Sequence, residues 1–215
     1  MALKVNEIFY SIQGESSYAG LACVFVRLTG CNLRCSYCDT RYAYYEGSEL
    51  EIGEIINKVA SYECPLVEIT GGEPLIQNET PFLIQGLLQK GYKVLLETNG
   101  SQDISQVDKR CVRIIDIKCP SSGEEERNDL ENLSRLTDKD EIKFVIGDRK
   151  DYEYAKKLSN GIGNNTAIKN LIHCSPVFGK MDPKILAKWV LEDRLDVRLH
   201  VQLHKIIWGP EQRGV

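Results

Sequence analysis

Hydrophobic positions recur along the chain with two different periods, and the two alternate. Apolar or β-branched runs of strand length occupy 22–29, 66–70, 93–97, 113–117, 141–146 and 167–173, with a seventh at 198–204. Between them apolar residues fall at helical spacing, as at Ile55, Ile56, Val59 and Ala60, at Phe82, Leu83 and Leu87, and at Ile185, Leu186, Trp189 and Val190. Thr80-Pro81 and Asp182-Pro183 each join a natural N-cap to a first-turn proline, and Lys90-Gly91 predicts a left-handed close to the first of these helices. Strand then helix, repeated, predicts parallel β/α units in one domain over 1–215. Six units are too few to close an eightfold barrel, so the expected fold is α/β, a partial (β/α)6-type TIM barrel.

Composition narrows the class. The chain has 215 residues, 42% hydrophobic and 27% charged, which suits a single buried core and not a disordered chain. No apolar run approaches the roughly 18 to 20 residues of a membrane span, and Lys4 and Glu7 interrupt any leader-like segment at the start, so a cytoplasmic protein is expected. Lys plus Arg number 27 against 31 Asp plus Glu, a net charge of −4, which offers no basic footprint for nucleic acid. The acidic run 124–126 reads as a solvated loop or helix start.

In folds of this kind, reactive groups collect on loops leaving the carboxyl ends of the parallel strands. Four polar segments obey that rule and should share one rim: Cys31 to Cys38, Gly71-Gly72-Glu73-Pro74, Glu97-Thr98-Asn99-Gly100, and the residues from Lys118 to Ser122. Of the eight cysteines, Cys23, Cys64, Cys111, Cys119 and Cys174 are scattered singly in or beside apolar runs and read as small buried hydrophobes. Cys31, Cys35 and Cys38 are spaced C-x3-C-x2-C on one loop. A structural zinc site wants four ligands, commonly as two pairs, and no second pair is present. Three thiolates suit a 4Fe-4S cluster with one iron left open. A zinc knuckle completed by a distant side chain is the competing reading, and would give a colourless protein without catalysis.

The triad, with Tyr37 before its last cysteine and the glycine-rich segment after the second strand, resembles the signature of the radical S-adenosylmethionine (radical SAM) superfamily. That resemblance implies a radical SAM core in which S-adenosylmethionine chelates the open iron and a 5'-deoxyadenosyl radical abstracts a substrate hydrogen. Within the superfamily, Phe9 to Ser16, Val24 to Asn32 and Cys38-Asp39-Thr40 are similar to the 7-carboxy-7-deazaguanine synthase family, over nearly the whole chain. The resemblance implies ring contraction of 6-carboxy-5,6,7,8-tetrahydropterin with loss of ammonia, a magnesium requirement, a flavodoxin or ferredoxin donor, and a homodimer. The nearest rival is an activating enzyme for a glycyl-radical or anaerobic ribonucleotide reductase.

Residue roles follow from the same resemblance. Ile12, Gln13, Gly14 and Glu15 match the pterin-binding segment, Thr70 matches a substrate contact, and Pro210 lies near a C-terminal one; His204, on the polar face of the last strand, is either a further substrate contact or a satisfied rim histidine. Tyr37, Cys38, Asp39, Gly71, Gly72, Glu73, Glu97, Asn99, Lys118, Cys119, Pro120, Ser175 and Pro176 match segments that hold S-adenosylmethionine. Thr40 matches the magnesium ligand. Many relatives carry Gly where Ser16 stands. Arg27 is also readable from period two alone: with Cys23, Phe25 and Thr29 it faces inward, opposite the apolar Val24, Val26 and Leu28. A buried guanidinium needs an anion, which a substrate carboxylate or an internal partner such as Asp116 or Glu97 would supply. His200, Gln202 and His204 alternate with Val201 and Leu203, predicting a last strand with its polar face toward the rim.

Overall fold

The computed structural model describes residues 1–165 and 171–215. Among these, nine strands form one open sheet: β1 (Ala2–Ile12), β2 (Ala22–Leu28), β3 (Ser48–Glu51), β4 (Leu66–Gly71), β5 (Lys93–Thr98), β6 (Val112–Ile117), β7 (Glu141–Ile146), β8 (Leu171–Pro176) and β9 (Arg198–Leu199), in the order β3-β1-β2-β4-β5-β6-β7-β8-β9. From β2 through β9 every neighbouring pair is parallel, while β1 runs antiparallel to both β2 and β3. The helices are α1 (Ile52–Ala60), α2 (Thr80–Gln89), α3 (Arg149–Asn165), α4 (Pro183–Asp193) and the short α5 (Leu203–Ile207). The sheet curls without closing, as the six-unit count requires. Among the described residues no helix is long and apolar enough to cross a membrane.

Alternation builds the core. On β2 the outward Val24, Val26 and Leu28 are fully buried beneath the helices, against Ile55 and Val59 of α1 and Leu83, Ile84 and Leu87 of α2. Each such side chain contributes about 1.5–3 kcal/mol relative to exposure. On the inward face Cys23, Phe25 and Leu95 are apolar and buried, while Arg27, Thr70, Glu97, Asp116 and Lys143 line a polar cavity, so the barrel interior holds a site above an apolar floor.

Several expectations shift by small amounts, for identifiable reasons. Thr80 spends its hydroxyl on the Pro74 carbonyl at 2.6 Å, so it opens α2 as a helical residue and Glu79 takes the cap position. Asp182 does cap α4, accepting from the Lys184 N–H at 2.8 Å, and Gly91 has the left-handed φ of +88°. The strand predicted over 167–173 begins at Leu171 within the described residues, 167–170 lying outside them. The strand predicted over 198–204 stops at Leu199, because Leu203 donates its N–H to the Gly14 carbonyl at 2.9 Å and opens α5 there. His204 therefore stands on a helix.

Candidate active site

A cavity of about 230 Å³ opens at the carboxyl end of the parallel strands. Its lining joins Cys31, Cys35, Tyr37, Cys38, Asp39 and Thr40 to Gly71, Gly72, Glu97, Asn99 and Lys118, and on another side to Ile12, Gln13, Gly14, Glu15, Arg27, Thr70 and His204. All four segments expected on the rim thus contribute to one place, the glycine-rich segment through Gly71 and Gly72 and the last through Lys118. Glu73, Cys119, Pro120, Ser175 and Pro176 do not line it; Val177 and Phe178 occupy the wall where Ser175 and Pro176 were expected. Pro210 lines an adjoining cavity beside Arg27, Thr40 and His204.

The cysteine loop is held by backbone contacts. Gly30 accepts from the Glu73 N–H at 2.8 Å, and Ser36 donates its N–H to Ser122 at 2.9 Å, fastening the loop to the ends of β4 and β6. Gly72 makes this approach possible, since a Cβ there would stand 2.1 Å from the Gly30 carbonyl oxygen and 2.7 Å from Cys31 Cβ. The three thiols form no disulfide. Cys31 Sγ accepts from the Leu33 N–H at 3.4 Å and from Asn99 Nδ2 at 3.9 Å. Burial pushes the Cys31 thiol up and the Cys35 thiol to about 11, so a cationic centre must displace their protons on binding. Cys31, Cys35 and Cys38 all line the one cavity from a single loop, an arrangement that fits a polynuclear cluster taking one thiolate per iron. Beside the thiols, the buried Tyr37 hydroxyl and Asp116 Oδ1 have no protein partner. These donors fit the cluster and a polar cofactor.

Glu73 acts behind the wall. Its fully buried carboxylate accepts from Leu75 N (2.9 Å), Thr98 Oγ1 (2.8 Å) and Asn99 N (2.6 Å), so it positions Asn99.

On the other side, the Gln13 amide is consumed internally: its oxygen accepts from the Glu15 N–H at 2.9 Å and its nitrogen donates to Glu68. Reading of a ring by this loop is left to its backbone and to the remaining lone pairs of Glu15, whose two oxygens also accept from Lys143 and Gln202. Gly14 is packed so tightly under α5 that a Cβ would lie 2.1 Å from His204 Nδ1. Ser16 takes φ +62°, the left-handed region that glycine occupies without strain, and its hydroxyl accepts from the Tyr18 N–H at 3.2 Å. That is why glycine suits the position and serine is tolerated. Ser17 donates both its N–H (3.0 Å) and its hydroxyl to Glu141, which also meets His173 Nε2 at 2.8 Å.

Arg27 pairs neither with Asp116 nor with Glu97. Its Nε donates to Glu7 at 2.7 Å, and the same oxygen accepts from Tyr42 Oη at 3.0 Å. The guanidinium lies near the Phe9 and Tyr42 rings, at 5.6 and 5.8 Å, and lines both cavities. With Nε committed, the two terminal nitrogens form a fork for an anion.

Charged residues that periodicity alone could have revealed complete the interior. Glu68 shares the inward face of β4 with Thr70, and Lys143 shares that of β7 with Glu141, each a polar interruption of an apolar strand. The buried Lys143 bridges Glu15 and Glu97 and stands 3.5 Å from Asp116, which pairs with Lys118 at 2.9 Å. Burial opposes the charge on Glu15, but Lys143 and His204 hold that carboxyl well below the usual range. Burial pushes Glu68 well up, with Glu97 and Glu15 adding to it.

An open α/β barrel with a C-x3-C-x2-C loop facing a glycine-rich strand end is a radical SAM enzyme, and a model of the radical SAM superfamily matches residues 25–116. Among curated relatives, a 7-carboxy-7-deazaguanine synthase of Koribacter versatilis is 47% identical over 228 residues, covering 99% of this chain and all of that one. One of Chlorobaculum tepidum is 47% identical over 216 residues, covering 99% and 97%. The crystal structure of QueE from Escherichia coli shares the fold, with a TM-score of 0.78 at 22% identity over 95% of both chains. The chain belongs to the 7-carboxy-7-deazaguanine synthase family. Membership does not favour the activating-enzyme reading.

Proposed function

We propose that the chain converts 6-carboxy-5,6,7,8-tetrahydropterin to 7-carboxy-7-deazaguanine with loss of ammonia. The observation that carries the reading is that one cavity is lined at once by the three cysteines, by the Ile12 to Glu15 loop and by Arg27. The chemistry that S-adenosylmethionine would supply when bound beside the cluster is a carbon radical able to take a substrate hydrogen atom. The chain's own residues bind, orient and exclude water. Cys31, Cys35 and Cys38 hold the cluster; Gly71 and Gly72 let the backbone approach the methionine moiety; Tyr37, Asn99 and Lys118 offer it a hydroxyl, an amide and an ammonium. Arg27 takes the substrate carboxylate on its free fork, Thr70, His204 and Glu15 address the ring, and Thr40 offers a hard oxygen to magnesium. The family further suggests a cytoplasmic homodimer reduced by a flavodoxin or ferredoxin.

Anaerobic cluster reconstitution followed by assay with the carboxylated tetrahydropterin, S-adenosylmethionine, magnesium and a reductant tests this. Formation of the deazaguanine carboxylate is expected, and Cys31→Ala, Cys35→Ala or Cys38→Ala should each abolish it. Intact cofactor cleavage with no consumption of the pterin would reject the substrate.

A further inference from the structure

Lys143 is among the costliest groups in the barrel to bury, and its arrangement exceeds what charge neutralisation needs. One carboxylate would suffice. Instead the ammonium reaches three, Asp116 at 3.5 Å and, much closer, two that come from different elements: Glu15, on the loop after β1 read as addressing the substrate, and Glu97, at the end of β5 read as addressing the cofactor. Glu15 is fixed from its other oxygen by Gln202 Nε2 at 2.6 Å, and the loop carrying it is held by the Gln13 amide. The barrel core fixes Lys143 through strand pairing, opposite Asp116 on one side and His173 on the other. A single cation on a rigid strand thus links two otherwise separate binding walls.

We infer that Lys143 is a positioning residue through which occupation of the cofactor wall tightens binding at the substrate wall, and the reverse. The inference rests on the substrate and cofactor reading proposed above. When a ligand donates hydrogen bonds to Glu97, that carboxylate competes less for the shared ammonium, and Lys143 is drawn fully onto Glu15. Glu15 is then held in one orientation before the substrate arrives, and the ordering cost of binding falls. Linkage requires the same factor in the other direction.

The test is calorimetric binding to cluster-loaded protein, without reductant so that no turnover occurs. S-adenosylmethionine and the carboxylated tetrahydropterin are titrated each alone and each against a saturating amount of the other. In the wild type, the second ligand should bind about fivefold tighter or more, by equal factors in both orders. In Lys143→Gln the factor should fall toward one, and Lys143→Arg, which keeps the charge and can still span both carboxylates, should retain it. A merely structural lysine would lower stability and leave the factor intact, and that result overturns the inference. Should Lys143→Gln not fold, Glu97→Gln breaks the same bridge from its other end; an undiminished factor there is equally fatal. A wild type that converts the pterin without coupling sinks this inference alone. One that neither binds nor converts it removes the proposed function as well.

Discussion

Glu73 and Asn99 come from the ends of neighbouring strands and are joined by a 2.6 Å hydrogen bond from the Asn99 backbone N–H to the Glu73 carboxylate. The Asn99 side chain then reaches Asn32 at 3.1 Å and Cys31, so the glycine-rich loop and the cysteine loop are registered to each other through Glu73, which does not line the cavity. Glu73→Ala would leave the Leu75, Thr98 and Asn99 donors unpaired in a buried site. At about 1–3 kcal/mol for each such group, a loss on the order of 3 kcal/mol or more is expected in denaturant melts. Weaker S-adenosylmethionine binding should accompany it. Unchanged stability would show that water replaces the carboxylate.

Gly72→Ala tests the seam itself. The added methyl would overlap the Gly30 carbonyl and Cys31 Cβ, neither of which is a flexible side-chain end. Overpacking of this kind costs about 1–3 kcal/mol, here by moving the loop that carries the thiols. Iron content after reconstitution should fall along with the melting temperature, and full iron loading in a stable Gly72→Ala protein would contradict the close packing.

The pattern of periods in the sequence was enough to place the parallel strands, most of the helices and the shared rim, because burial on both faces of a parallel sheet imposes a strong signal. β1 was not legible: Ala2–Ile12 mixes Lys4, Asn6 and Glu7 into its alternation, since it lies near the sheet edge with one face toward the site. The two-residue β9 and the turn into α5 were misread for a different reason. The polar alternation of His200, Gln202 and His204 is real, but it serves contacts to Gly14 and Glu15 and not a pleated face. The cysteine triad was legible because a cluster needs a local spacing. Lys143 and Glu68 are visible in the sequence only as polar interruptions of apolar strands, and their partners Glu15, Glu97 and Gln13 lie in remote segments that only the fold brings near.

The loop from Gln13 to Ser17 should loosen in acid. Burial opposes ionisation of Glu141, but hydrogen bonds from His173 and Ser17 outweigh it and hold its carboxyl below the ordinary value. A carboxyl whose folded pKa is depressed binds fewer protons folded than unfolded, so its stabilisation is present above the unfolded value near 4.3 and is lost as pH falls through the folded one. Stability measured between about pH 6 and 3 should therefore drop less steeply in Glu141→Gln than in the wild type. Parallel curves would mean that Glu141 adds nothing to the acid limb.

Arg27→Ala should weaken binding of the carboxylated pterin far more than that of S-adenosylmethionine. Loss of a charge-assisted fork to a carboxylate costs on the order of 2–5 kcal/mol. Arg27→Lys should recover little, because a point charge cannot donate to Glu7 and span a substrate carboxylate together. Equal losses for both ligands would make the Glu7 pair its whole function.

Thr40 provides the most discriminating outcome. Its hydroxyl donates to Asp39 at 2.9 Å, and Asp39 is paired through its other oxygen with Lys205, whose charge holds the carboxyl below the usual range although burial opposes it. With its proton committed to a carboxylate, the Thr40 oxygen, which lines the cavity, is a better donor to a hard cation than a free hydroxyl. Thr40→Val keeps the shape and deletes that oxygen. Magnesium should then stimulate turnover less and tighten substrate binding less, while iron content and the visible spectrum stay as in the wild type. Lys205→Met leaves the oxygen in place but removes the charge neutralising Asp39, so it should preserve the magnesium response while altering its affinity. A metal titration curve identical in wild type and Thr40→Val would reject Thr40 as the ligand, and full activity after chelation of divalent ions would reject the metal requirement itself.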